Sequence, residues 1–147
     1  MPRRIPTLAL LSAAGVLLLA GLGCTEKVPM LTAPPVPSGP IVAPDSIQAI
    51  FTASCITCHS GSSPAGGMDL SADGSYASTV GVPSTRCAPL VRVAPNDPSN
   101  SCLMLRVEGT VTPRMPMGRP ALAAADIAKL RNWILQGAPG VIAGPAF

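Results

Sequence analysis

The sequence predicts a small all-α domain in which short helices are joined by long loops. Two stretches, near residues 45–54 and 122–136, carry apolar side chains at the 3–4 spacing of a helix face. Glycine and proline are abundant, at 14 and 18 of 147 residues, which favours turns and keeps helices short. No convincing set of alternating strands accompanies them.

The chain begins Met1-Pro2-Arg3-Arg4 and continues with an apolar run over residues 5–23. A basic start before a short apolar region reads as a secretory signal. The run is interrupted by Pro6, Thr7, Ser12 and Gly15, and a stable span needs about 20 apolar residues. It ends in Ala20-Gly21-Leu22-Gly23-Cys24, followed by polar Thr25-Glu26-Lys27. These residues resemble the lipobox of bacterial lipoproteins. The resemblance implies a lipoprotein-type signal over 1–23, cleavage before Cys24 and lipid on its sulfur. The product would be exported and membrane-anchored, in the periplasm or at the cell surface. Residues 24–44 hold Pro29, Pro34, Pro35, Pro37, Pro40 and Pro44, the composition of an extended tether with a reach of about 60 Å. Residues 45–147 remain for one folded domain with one modest core. That length excludes a two-domain nucleotide enzyme and a (β/α)₈ barrel.

Aromatic residues are only 3% of the chain (Phe51, Tyr76, Trp133 and Phe147), so the core lacks bulk that a large flat group would supply. The formal charge of +3 includes Arg3 and Arg4, and the remainder is nearly balanced without a basic run. Nothing there suits a nucleic-acid partner. His59 is the sole histidine, which excludes any site needing two imidazoles from one chain.

Residues 55–59 read Cys55-Ile56-Thr57-Cys58-His59, the C-x-x-C-H spacing of c-type haem attachment. Two thiols separated by two residues reach the two vinyl groups on one edge of a porphyrin. The next residue then offers an imidazole nitrogen to the iron. Other readings of the cysteines are a thioredoxin-like redox pair, which expects a βαβ context, half of a zinc site completed by Cys87 and Cys102, or a plain disulfide. The export signal agrees with haem. From this motif onward the chain resembles an exported monohaem c-type cytochrome. The resemblance implies a cytochrome c-like fold of short helices and loops around one covalently bound haem c. It also implies thioether links at Cys55 and Cys58, His59 as the proximal ligand, and electron exchange with redox partner proteins rather than catalysis.

The first helix is expected to start at Asp45 as N-cap, with Ile47, Ile50 and Phe51 on one face. Phe51 lies one turn before Cys55, and in the resembled family an aromatic of this helix packs on the last one. Asp97-Pro98 offers a cap followed by proline, with a short helix through Cys102–Val107, and a further turn is possible around Ser75–Val80. Residues 122–136 form the strongest helix, with Ile127, Leu130 and Ile134 in one stripe, Trp133 beside it as a packing residue, and Gly137 as the stop. For the second axial position the mature chain offers Met30, Met68, Met104, Met115 and Met117. Met115 and Met117 lie in a proline-stiffened loop, Thr-Pro-Arg-Met-Pro-Met-Gly-Arg-Pro. The resemblance places the ligand in a Met-Pro pair, which is Met115, with Met117 as the alternative. Five cysteines then divide into two for haem, one for lipid, and Cys87 with Cys102, which in an oxidising compartment read as a disulfide or else as two separate buried thiols. The competing function is a haem-based enzyme or sensor with a labile distal site, peroxidase-like or gas-binding.

Replacing the lipidation cysteine, Cys24→Ser, is expected to give soluble or unprocessed protein in membrane fractionation. A wild-type chain already found in the soluble fraction would contradict the anchor.

Overall fold

The protein is described by a computed structural model over residues 39–143. The signal segment, Cys24, Met30, most of the tether and Phe147 lie outside the described residues.

The chain enters through a two-residue strand, β1 (Ile41–Val42), and passes Ala43 and Pro44 into helix α1 (Asp45–Ser54). Pro44 occupies the N-cap position and no side chain caps the helix, so Asp45 sits in the first turn instead. There its carboxylate still complements the helix dipole. Ile47, Ile50 and Phe51 are the buried side chains of α1, as the spacing predicts. A one-turn 3₁₀ segment (Ala65–Gly67) and a five-residue helix α2 (Ser75–Thr79) follow. A second 3₁₀ turn (Pro98–Asn100) is capped by Asp97, whose carboxylate accepts the Asn100 backbone N–H at 3.1 Å and side-chain amide at 2.6 Å. Those bonds, the side-chain one first, hold Asp97 below the usual carboxylate range. Helix α3 (Cys102–Glu108) begins directly afterwards and buries Leu103, Met104 and Val107. Helix α4 (Ala124–Leu135) buries Leu130, Trp133 and Ile134. Gly137, at φ +89°, turns the chain away in the left-handed conformation that glycine adopts without strain. Strand β2 (Val141–Ile142) closes the domain against β1.

That pairing corrects the all-α expectation. Ile41 pairs with Ile142 and Val42 with Val141 in an antiparallel sheet, so the fold is not purely helical. Two-residue strands are too short to display alternation, and their partners lie at opposite ends of the domain. The ladder exists only once tertiary packing has brought those ends together. Isolated bridges join Val80 with Val93, Pro83 with Val91, and Val91 with Ser101, which gives the loop-rich middle its order.

Helix α4 packs on both α1 and α3. Phe51, Leu70, Val93, Met104, Leu130 and Ile134 are almost wholly withdrawn from solvent at the centre. Trp133 belongs to the same core, and its indole N–H donates to the Pro139 carbonyl at 2.9 Å. Arg131 of α4 pairs with Glu108 of α3. Among the described residues no buried side-chain polar atom lacks a partner: the Gln48 side chain accepts from Ser75 Oγ at 2.7 Å and donates to the Leu70 carbonyl at 2.9 Å, tying α1 to α2.

Cys87 and Cys102 form a disulfide with Cα atoms 5.9 Å apart, so the reading of these two as separate thiols does not hold. The bond fastens the 84–90 loop to the first residue of α3. Replacing both cysteines by serine is expected to lower the unfolding free energy by roughly 3 kcal/mol, the value for a loop of this length. Denaturant unfolding checks it, and a loss well under about 1 kcal/mol would show that the bond constrains little.

Candidate functional site

The winding of α1 does not stop at Ser54. Cys55 and Ile56 both donate backbone N–H groups to the Phe51 carbonyl, at 2.8 and 3.1 Å. Cys58 and His59 both donate to the Cys55 carbonyl, at 3.2 and 3.0 Å. Positions i, i+3 and i+4 of a helical turn share one side. The C-x-x-C-H spacing therefore brings the two thiols and the imidazole to one surface, and all three line a cleft of about 420 Å³. Cofactor pockets span roughly 300–1,000 Å³.

The apolar walls come from three other parts of the chain. Met68 and Leu70 follow the 3₁₀ turn, and the Leu70 N–H donates to the His59 carbonyl at 2.6 Å. Leu103 and Val107 come from α3. Met115, Pro116 and Met117 come from the loop before α4. That loop hangs on α3: the Met115 N–H donates to the Arg106 carbonyl at 2.9 Å, and Arg106 Nη1 donates to the Pro113 carbonyl at 3.1 Å. Met115 is half-buried and packs on the core, whereas Met117 is 69% exposed. Met104 is fully buried in α3 and does not reach the cleft, and no residue of α4, Trp133 included, lines it.

His59 Nδ1 lies 3.0 Å from the Ala65 carbonyl. A carbonyl only accepts, so Nδ1 carries the proton and donates. In the neutral ring this leaves Nε2 with a free lone pair, the arrangement of a histidine prepared to bind a metal.

Four arginines, Arg86, Arg92, Arg106 and Arg119, also line the cleft, and no carboxylate does. Among the described residues the ion pairs are Lys129 with Asp126 and Arg131 with Glu108, so none of the four guanidinium groups is neutralised by one. Arg92 and Arg106 donate to backbone carbonyls instead. A cleft with apolar walls and uncompensated positive charge suits a flat apolar group bearing carboxylates. The arginines escape sequence reading because 86, 92, 106 and 119 follow no period and form no run. They become a group only through the fold.

Cys55 and Cys58 are bonded neither to each other nor to another cysteine of the described residues, so the plain-disulfide reading of the pair does not hold. Burial pushes the Cys55 thiol up to about 11. Redox-active dithiols have the opposite character, with a lowered thiol pKa. The zinc alternative loses its other half, because Cys87 and Cys102 are bonded to each other. Among the described residues no group of three or more His, Cys, Asp or Glu side chains is placed to hold a metal ion on its own.

No protein-family model matches the chain, and no curated protein or solved structure shows significant similarity to it.

In chain produced without an attached group, iodoacetamide is expected to modify exposed Cys58 before Cys55. At pH 8 only about one Cys55 in a thousand is thiolate, so its labelling rate should climb about tenfold per pH unit towards pH 11. A rate for Cys55 that levels off near pH 9, followed by peptide mass spectrometry, would contradict the burial effect.

Proposed function

We propose that the cleft holds one haem c and that the protein is a lipid-tethered electron carrier working outside the cytoplasm. The observation that carries this reading is the joint placement of Cys55, Cys58 and His59 on one helical turn facing an apolar cleft rimmed by arginines. The residues fit the group. Cys55 and Cys58 would hold it through thioethers, and His59 would offer Nε2 to the iron while Nδ1 stays engaged by Ala65. Leu70, Leu103 and Val107 supply apolar wall, and the guanidinium groups stand where a haem's two carboxylates need cations.

When bound, the group supplies one-electron exchange between Fe(III) and Fe(II). The chain's own work is to fix it, to orient the imidazole and to keep water away. Met115 would offer its thioether to the iron, because its side chain is packed on the core and its backbone is tied to α3. A thioether raises the potential relative to a second imidazole. With His59 and Met115 both engaged, the protein would carry electrons without making or breaking bonds. Redox proteins would be its partners, and the lipid on Cys24 would keep it at the membrane.

The attachment is tested by acid–acetone extraction. The colour is expected to stay with the polypeptide, and to be weakened or lost with Cys58→Ala, and haem recovered in the organic phase would overturn the reading. The axial assignment is tested by paired variants. Met115→Ala should remove the long-wavelength methionine–iron charge-transfer band and lower the potential, while Met117→Ala should retain both. Loss of the band in Met117→Ala alone would move the ligand by two residues. A high-spin ferric wild type would favour the enzyme or sensor instead.

A further inference from the structure

We infer that Arg92 is a positioning residue for the His59 imidazole, acting through the turn that carries the Ala65 carbonyl. This rests on the proposed haem reading of the site.

The Ala65 carbonyl is the acceptor of the His59 Nδ1–H bond. Its turn is tied to the 55–59 segment at its start, where the Ala65 N–H donates to the Cys58 carbonyl at 2.9 Å. The Gly66 and Gly67 end has only the Gly67 N–H bond to the Pro64 carbonyl, at 2.9 Å, within the turn itself. Ala65–Gly67 is one turn of 3₁₀ helix, all three residues are exposed, and two are glycines at φ +63°. A side chain added at Gly66 would meet nothing within 4 Å, so the turn is not packed against the body of the domain there. Within the turn, the Met68 N–H reaches the Ala65 carbonyl at a long 3.3 Å. An exposed, glycine-rich turn of this kind has many conformations to lose on ordering.

Arg92 supplies the constraint at the glycine end of the turn. Its Nη2 donates to the Gly66 carbonyl at 2.8 Å, and its Nη1 donates to the Gly67 carbonyl at 3.2 Å and to the Ser78 carbonyl of α2 at 2.6 Å. The planar fork thus grips two successive carbonyls of the turn and one of a helix. Its own backbone is fixed on both sides: the Arg92 N–H donates to the Val82 carbonyl at 2.7 Å, and its carbonyl accepts from Leu103 of α3 at 2.9 Å. A continuous hydrogen-bonded path therefore runs from α2 and α3 through the guanidinium to the turn, and from the turn to His59 Nδ1. The guanidinium has no carboxylate partner among the described ion pairs, so this grip, rather than a salt bridge, accounts for its place. A hydrogen bond on the far nitrogen fixes the plane and raises the basicity of a metal-binding imidazole. Loosening it makes the ring a weaker donor and favours Fe(II).

The test uses the haem-loaded full chain and its R92K and R92M variants. R92K keeps the charge and the stem but loses the fork, and R92M loses every donor. Solvent exchange of the His59 Nδ1 proton, followed by NMR in the reduced protein, should be about tenfold faster in R92M, the change in local opening that loss of a charged donor's hydrogen bonds produces, and intermediate in R92K. The reduction potential of R92K should rise, since the charge is retained while the imidazole donates less. If R92M does not accumulate as folded protein, the R92K pair of measurements decides alone. Unchanged exchange and unchanged potential in R92K would overturn the inference, including where its melting temperature falls, because that is the result of a merely structural arginine. Wild-type protein without attached haem would overturn the reading of the site, and this inference with it. Attached haem with wild-type exchange and wild-type potential in R92K overturns this inference alone.

Discussion

The hydrogen bonds that Cys55 and Ile56 donate to the Phe51 carbonyl carry the winding of α1 into the 55–59 segment, and the rest of the cleft is arranged around that continuation. Phe51 serves both sides of the arrangement. Its ring is fully buried in the core that α1 shares with α3 and α4, while its carbonyl receives the first turn of the site. The direction in which Cys55, Cys58 and His59 face is thereby set by helix packing rather than by a free loop. Burying a Phe side chain contributes on the order of 1.5–3 kcal/mol, so a loop-rich domain has a rigid reference for its functional residues. The loops then attach to that frame at named points: Leu70 to His59, Met115 to Arg106, and the 84–90 loop to α3 through the disulfide.

The four cleft arginines have no carboxylate partner among the described residues, whereas Lys129 and Arg131 on α4 each have one. Two of them spend their donors on backbone carbonyls, which leaves their positive charge intact and their position fixed. Fixed charge beside an apolar wall acts more strongly on an anionic group than charge in open water. In the proposed reading those guanidinium groups meet the haem carboxylates, and the apolar residues beneath them meet the ring.

Much of this was legible in the sequence where the signal is local. The apolar stripe of α1, the closing helix with Gly137 behind it, and the Asp97 cap all follow from short-range spacing and turn chemistry. The Cys87–Cys102 bond follows from counting cysteines. Asp45 was misplaced by one position, because a proline before the helix can occupy the cap without a side-chain bond. The β1–β2 pair was not legible, since two residues cannot show a period and their partners are joined only by the completed fold. The same limit hid Arg92, Arg106 and the role of Ala65. Their partners are carbonyls, and a sequence does not show which carbonyl a side chain will meet. The preference for Met115 over Met117 came from a family resemblance. The difference in their burial adds a physical reason that the loop sequence alone does not contain.

The central claim is that the 55–59 turn carries a covalent haem in the arginine-lined cleft. Peptide mass spectrometry of the protein purified from the cells that produce it tests it most directly. The account predicts that the peptide containing Cys55 and Cys58 carries the mass of one haem and that neither thiol accepts an alkylating reagent. Recovery of that peptide at its bare mass, with both cysteines alkylated or joined to each other, would contradict it.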